Sequence, residues 1–303
     1  MGNMSPASTA QALSDEAHRN DAWRQPLRDD FDGPDFSPLG GLYYRDNFEQ
    51  SAGTVAFQKA VKLTGSGALQ LSVRPIAAAA GEEDHSERAE IWEKTALWAP
   101  YGQGMWYGFA VLFAEPIPDD DHRYLIAQWK RQILPGAEGD FSPFLAIRMI
   151  NGKLYATVET NHIAPHADPA TAGVPTFFRP RKNQMRALIA TDAAWTGADA
   201  RLFSGSSTAL TLEHHGNPLP RPGSGWINFV IFVKPGPEGD GHIEIIANGK
   251  PVVTVKGPIG HADKGLGDRQ YFKFGPYRAG HRGVWTLYYD HFRRSPERRD
   301  VVG

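Results

Sequence analysis

Three short stretches of this 303-residue chain carry polar side chains at a spacing suited to acid–base chemistry. Tyr271-Phe-Lys-Phe-Gly-Pro-Tyr277-Arg278 brings together two phenols and two cations, and Arg88/Glu90, Gln128/Lys130 and Tyr271/Lys273 are each separated by one residue. Successive side chains of a β-strand point to opposite faces, so each pair projects from one face of its strand. Laid side by side, the three strands would line one groove with six polar groups. A phenol or an amine can move a proton there, and a guanidinium or carboxamide can bind a carboxylate. Glu90 would hold Arg88 or Lys273 in place, and its other reading is a simple cross-strand ion pair. Taken alone, each stretch also reads as an ordinary amphipathic strand with its polar face in solvent.

Strands must carry these residues, and the pattern supplies them. Phe272 and Phe274 alternate with Tyr271 and Lys273, which turns the phenylalanines to a core, and Gly275-Pro276 is expected to break the strand and leave Tyr277 and Arg278 at the groove's rim. Residues 87–94 alternate as one strand, with Arg88, Glu90 and Trp92 on one face and Ala89, Ile91 and Glu93 on the other. Residues 106–113 read as a central apolar strand and 124–130 as its polar-ended successor. Asn151-Gly152 and Asn248-Gly249, each between alternating runs, predict type I′ hairpins. About a dozen short strands with almost no amphipathic helix predict an all-β fold, a two-sheet antiparallel β-jelly-roll sandwich of concanavalin-like type. Its concave face would suit an extended polymer. Residues 1–27 read as a flexible arm, 28–303 as one domain, and 160–224 as a long insertion with a short helix or two walling the cleft.

Composition narrows the partners. With 32 Lys+Arg against 34 Asp+Glu, no global field draws the chain to nucleic acid or an anionic membrane. No apolar run is long enough to span a bilayer, and the absence of cysteine removes disulfides and thiolate metal sites. The acidic run 29–35 could hold a structural Ca²⁺ through oxygen ligands, or form Asx turns on a solvated loop. The spacing of His162, His166, His214 and His215 matches no standard zinc pattern, so no metal ligands are assigned. A monomer is expected. The N-terminal residues lack the basic start and apolar stretch of a signal peptide, although an extracellular or periplasmic location is expected.

In this order, the motifs resemble those of the jelly-roll polysaccharide lyases, particularly the heparin lyase I and glucuronan lyase families and, more distantly, the alginate lyases. Arg88-Ala-Glu-Ile is similar to the Arg-x-Glu strand, Gln128-Trp-Lys130 stands where a Gln-x-His element occurs, and Tyr271-Phe-Lys-Phe-Gly-Pro-Tyr277 is similar to Tyr-x-Lys-x-Gly-x-Tyr. The resemblance covers residues 28–294. It implies an enzyme that cleaves an acidic, uronate-containing polysaccharide by β-elimination: the C5 proton is abstracted, O4 leaves, and an unsaturated uronate end forms.

By that resemblance Gln128 and Arg88 would bind the uronate carboxylate, Tyr271 would donate a proton to O4, and Lys273 would lower the phenol's pKa and hold the anionic chain. Lys130 departs from the usual histidine, so the base is left between His85, Tyr271 and Lys130. Lys130, Lys273, Glu90, Tyr277 and Arg278 would contact substrate, and Trp129 would stack on a sugar ring or sit in the core. Two other classes stay open. A retaining glycoside hydrolase needs paired carboxylates, against which Glu90 and Glu93 point to opposite faces. A non-catalytic carbohydrate-binding module needs only the aromatic groove.

Overall fold

Alternating apolar and polar residues close into two antiparallel sheets in the computed structural model, which describes residues 21–45, 47, 49–76, 86–122, 124–137, 143–162, 164–165, 185–196, 199, 205–206, 208–260, 262 and 264–302. In chain order the strands are β1 (Leu27–Asp29), β2 (Leu42–Tyr44), β3 (Gly53–Gln58), β4 (Ala68–Val73), β5 (Ser86–Arg88), β6 (Ile91–Glu93), β7 (Ala99–Pro100), β8 (Met105–Phe113), β9 (Tyr124–Ile133), β10 (Leu145–Ile150), β11 (Lys153–Thr160), β12 (Ala164–Pro165), β13 (Met185–Thr191), β14 (Gly205–Ser206), β15 (Thr211–His214), β16 (Ile227–Lys234), β17 (Gly236–Ala247), β18 (Lys250–Ile259), β19 (Leu266–Ala279) and β20 (Trp285–Ser295). One nine-stranded sheet runs β15-β18-β17-β16-β8-β20-β4-β3, with β1 on β20. The other runs β13-β11-β10-β9-β19-β6-β2, with β5 and β7 also on β19. This is the jelly-roll sandwich that the sequence predicts. The described helical elements are 3-10 turns, such as Ala22–Arg24 and Thr95–Leu97.

Local chemistry explains the turns and the layering. Asn151-Gly152 and Asn248-Gly249 both take positive φ at both positions, as a type I′ hairpin demands, and join β10 to β11 and β17 to β18. Between the sheets lies a largely aromatic core. Phe272 packs on Trp129, Tyr107 and Phe109 at ring distances of 4.6, 5.0 and 5.7 Å, and Phe274 packs on Tyr289 at 4.8 Å. Once these rings are buried, Tyr271 and Lys273 must face outward from their sheet.

The course of the chain departs from the sequence reading in four places. Gly275-Pro276 does not end β19, which continues to Ala279 through an irregularity in its register with β9. Gly275 has φ +126, and a Cβ there would lie 2.2 Å from the Ala89 carbonyl oxygen. Only glycine permits that crossing. Residues 87–94 are not one strand either, because β5 and β6 stop on either side of Ala89 and Glu90. Residues 160–224 carry an edge strand of each sheet, β13 on β11 and β15 on β18, rather than a pure insertion. Within the arm predicted over 1–27, Trp23 and Leu27 join the core, and residues 1–20 lie outside the described part.

Gly275→Ala should therefore destabilise the protein by about 2–4 kcal/mol through its positive φ and the clash with Ala89. Urea denaturation would measure this, and a change under about 0.5 kcal/mol would show that the crossing is not tight.

Candidate active site

The outer face of the second sheet carries a row of side chains in direct cross-strand register: Tyr43 on Trp92, Trp92 on Lys273, Lys273 on Gln128, and Gln128 on Ala146. Glu90 stands at its centre, in the gap between β5 and β6. Its backbone there lacks ladder partners, and Gln50 replaces them: Glu90 N–H donates to Gln50 Oε1 at 3.1 Å, and Gln50 Nε2 donates to the Glu90 carbonyl at 3.2 Å. So clamped, the carboxylate is fully buried. Lys273 Nζ donates to Oε2 at 2.9 Å, Gln128 Nε2 donates to Oε1, and Arg88 Nη1 lies 3.7 Å from Oε2.

Glu90 thus faces Lys273 and Arg88, and its charge also reaches Lys130, on which Glu159 acts as well. Burial alone would raise the Glu90 pKa, but Lys273 and Arg88 outweigh it and hold the carboxyl below its usual range. Lys273 and Arg88 share the Glu90 charge. Burial, with Lys130 and Arg88 close by, pushes the Lys273 ammonium down to about 7 despite its bond to Glu90. Burial and Arg88 likewise lower the pKa of Lys130, which is only half-buried.

The two phenols occupy different environments. Tyr271 is 6% exposed and lies flat between Trp92 and Trp98, at ring distances of 5.5 and 4.3 Å. Burial, then the Glu90 charge, raises its pKa, which is opposite to the lowering by Lys273 that the sequence reading expects. Lys273 instead spends its charge on Glu90 and on the Trp92 ring, 4.2 Å from Nζ. Tyr277 is half-buried, with the Arg88 guanidinium 4.0 Å above its ring.

Two of the expected substrate contacts lie elsewhere. Trp129 is 1% exposed and belongs to the core, because it faces opposite to Gln128. Arg278 does not reach the rim: it is buried, pairs with Glu87 at 2.6 Å, and donates to the Gly283 carbonyl. His85 lies outside the described residues. Trp98 and Arg45 enter the site without having been singled out for it, whereas the alternation that turns Glu90 outward also turns Trp92 outward. Glu93 points between the sheets, where its carboxylate accepts the Phe272 N–H at 2.8 Å and pairs with Arg294 at 3.2 Å.

The family model described as polysaccharide lyase matches residues 35–293. The chain belongs to that family. Among solved structures, an endo-β-1,4-glucuronan lyase from the fungus Trichoderma reesei is similar, with a TM-score of 0.58 and 18% identity over 91% of this chain and 96% of that one. The cellulose-induced protein Cip1 is also similar, with a TM-score of 0.48 and 15% identity over 89% and 97% of the two chains. Alginate lyase Aly36B gives 0.46 and 11% over 89% and 96%. No curated protein sequence matches the chain. At these identities the likeness to the glucuronan lyase shows the shared sandwich alone.

Among the described residues, two clusters could be taken for metal sites, and neither has a fitting donor set. Asp30, Asp290 and His291 come within 4.8 Å of one another, but Arg293 holds Asp30 at 2.6 Å, and the amides of Leu63, Thr64 and His291 fill the Asp290 carboxylate. Asp29 also accepts the amides of Phe31 and Ser37, and Asp32 those of Ser66 and Gly67; of these only the Phe31 contact, two residues on, has the Asx-turn spacing. In the second cluster His281 Nδ1 accepts the Gly283 N–H at 3.1 Å, so a neutral His281 carries its proton on Nε2 and donates it to Asp120 at 3.0 Å. That nitrogen is then a donor, not a ligand. His215 is bonded to Thr254, and His166 lies outside the described residues.

The depressed Lys273 makes a prediction with a definite sign. Unfolded lysine keeps its proton to about pH 10.4, whereas folded Lys273 releases it near 7. Between these values the unfolded chain binds more protons, so this residue's contribution to stability rises with pH across that window. Urea midpoints from pH 7 to 10 should rise more for the wild type than for Lys273→Met. Parallel curves would contradict the shift.

Proposed function

We propose that this polysaccharide lyase cleaves an acidic, uronate-containing polysaccharide by β-elimination. The observation that carries the reading is the outer-face cluster, where a carboxamide and a guanidinium converge beside a half-buried amine and phenol. The C5 proton of a uronate lies α to its carboxylate and becomes removable when the charge that develops there is stabilised. Gln128 and Arg88 supply those donors, and Glu90 fixes both in position. Lys130, whose ammonium is destabilised by burial and by Arg88, has a neutral fraction that takes the C5 proton. The C4–O4 bond then breaks, the C4=C5 double bond forms, and Tyr277 delivers a proton to the departing O4. Tyr271 serves as an aromatic wall rather than as the acid, because its ring is held between two indoles.

A hydrolase reading finds less support. Glu90 is committed to the cations, Glu159 on β11 of the same sheet pairs with Arg186 at 2.7 Å, and Glu93 lies on the inner side with Arg294. The polymer is an acidic, uronate-containing chain met outside the cytoplasm, and the enzyme works there as a monomer, extracellular or periplasmic. Among the described residues no helix is long and apolar enough to cross a membrane.

The test is incubation with glucuronan, alginate, heparin and a bacterial acidic exopolysaccharide. Ultraviolet absorbance from unsaturated uronate ends is expected with at least one polymer, whereas reducing ends without that chromophore would mark a hydrolase. On the cleaved polymer, Tyr277→Phe and Lys130→Arg should each lower kcat by at least about 100-fold, and Tyr271→Phe should retain most of it. A Tyr271→Phe loss with an active Tyr277→Phe would return the acid role to Tyr271.

A further inference from the structure

Arg45 plays no part in the chemistry just described, yet it stands beside the catalytic row. It follows β2, two residues beyond Tyr43, and so shares the outward face on which Tyr43 lies opposite Trp92. Its side chain is exposed, and its guanidinium lies 4.9 Å over the Trp92 indole. Lys273 occupies the same ring at 4.2 Å. One indole therefore carries two cations, of which Lys273 is neutralised by Glu90 and Arg45 turns to solvent. Trp92 is itself pinned against Tyr271, so the guanidinium rests on a rigid platform. That support orients the cation and removes part of its water, which lowers the cost of binding an anion there.

The register sets its distance from the bond-breaking groups. β2 is two strands from β19, with β6 between them, so Arg45 lies roughly 10 Å across the sheet from the backbone that carries Lys273. A polymer lying along the row from Gln128 through Lys273 and Trp92 to Tyr43 would bring a later sugar over Arg45. We propose that Arg45, seated on Trp92, is a flanking subsite that binds the carboxylate of a second acidic sugar along the same polymer. This rests on the lyase reading, and it makes the enzyme selective for runs of uronate over isolated uronates between neutral sugars. Because the guanidinium is exposed, its removal exposes no core and leaves the fold intact.

The experiment compares wild type, Arg45→Ala and Arg45→Lys on polyglucuronate, using initial rates over a series of NaCl concentrations and mobility in gels cast with the same polymer. Arg45→Ala should raise KM roughly three- to tenfold at low salt, with the loss falling on KM rather than kcat, and should flatten the salt dependence. Arg45→Lys should recover part of the loss. Equal KM and equal gel retardation in wild type and Arg45→Ala would overturn the subsite, as would a loss confined to kcat or a wild type that the polymer does not retard. If the wild type cleaves nothing but is retarded, and Arg45→Ala is retarded less, the subsite stands and the lyase reading fails.

Discussion

The buried carboxylate of Glu90 is the interaction on which the site depends. It lies in a break between β5 and β6 where no strand partner satisfies its backbone, and the Gln50 amide holds it there by accepting from one side and donating to the other. From that fixed point it bonds Lys273 and Gln128 and lies near Arg88. Lys273, Lys130 and Arg88 gather around Glu90 in a poorly hydrated place, with Glu159 also acting on Lys130. Burial first, and then the neighbouring cations, depress the lysines and suit the region to an anionic ligand. Neutralising Glu90 would leave Lys273 buried without its carboxylate, a far larger disturbance than removing an exposed ion pair.

Backbone geometry decides which face each residue serves. Gly275 lets β19 pass against Ala89 and Glu90, and the irregularity there allows the strand to continue while Tyr277 comes under Arg88 and Arg278 turns to Glu87. The aromatic core fixes the rest. With Phe272, Phe274 and Trp129 buried between the sheets, Tyr271, Lys273 and Gln128 can only face outward.

Much of this was legible from period-two alternation. Phe272 and Phe274 against Tyr271 and Lys273, and Gln128 and Lys130 against Trp129, follow from pleat geometry alone, and the Asn-Gly turns follow from their positive φ. What alternation could not supply is where it stops. Gly275-Pro276 carries a turn signal, yet the chain uses it to adjust register inside a strand, which misplaced Tyr277 and Arg278 at a rim. Glu90 reads as a strand residue, yet it sits in a gap closed by Gln50, forty positions earlier, and no local pattern shows that partner. The surroundings of the phenols were equally hidden, because Tyr271 is set apart by Trp98, which follows a 3-10 turn with no periodic signal.

A crystal structure of the Tyr277→Phe protein with a bound glucuronate tetramer tests the central claim most directly. One uronate carboxylate should lie between the Gln128 amide and the Arg88 guanidinium, with its C5 facing Lys130 and its O4 facing the ring of residue 277. A tetramer bound on another face, or on this face with every carboxylate turned away from Gln128 and Arg88, would contradict the account.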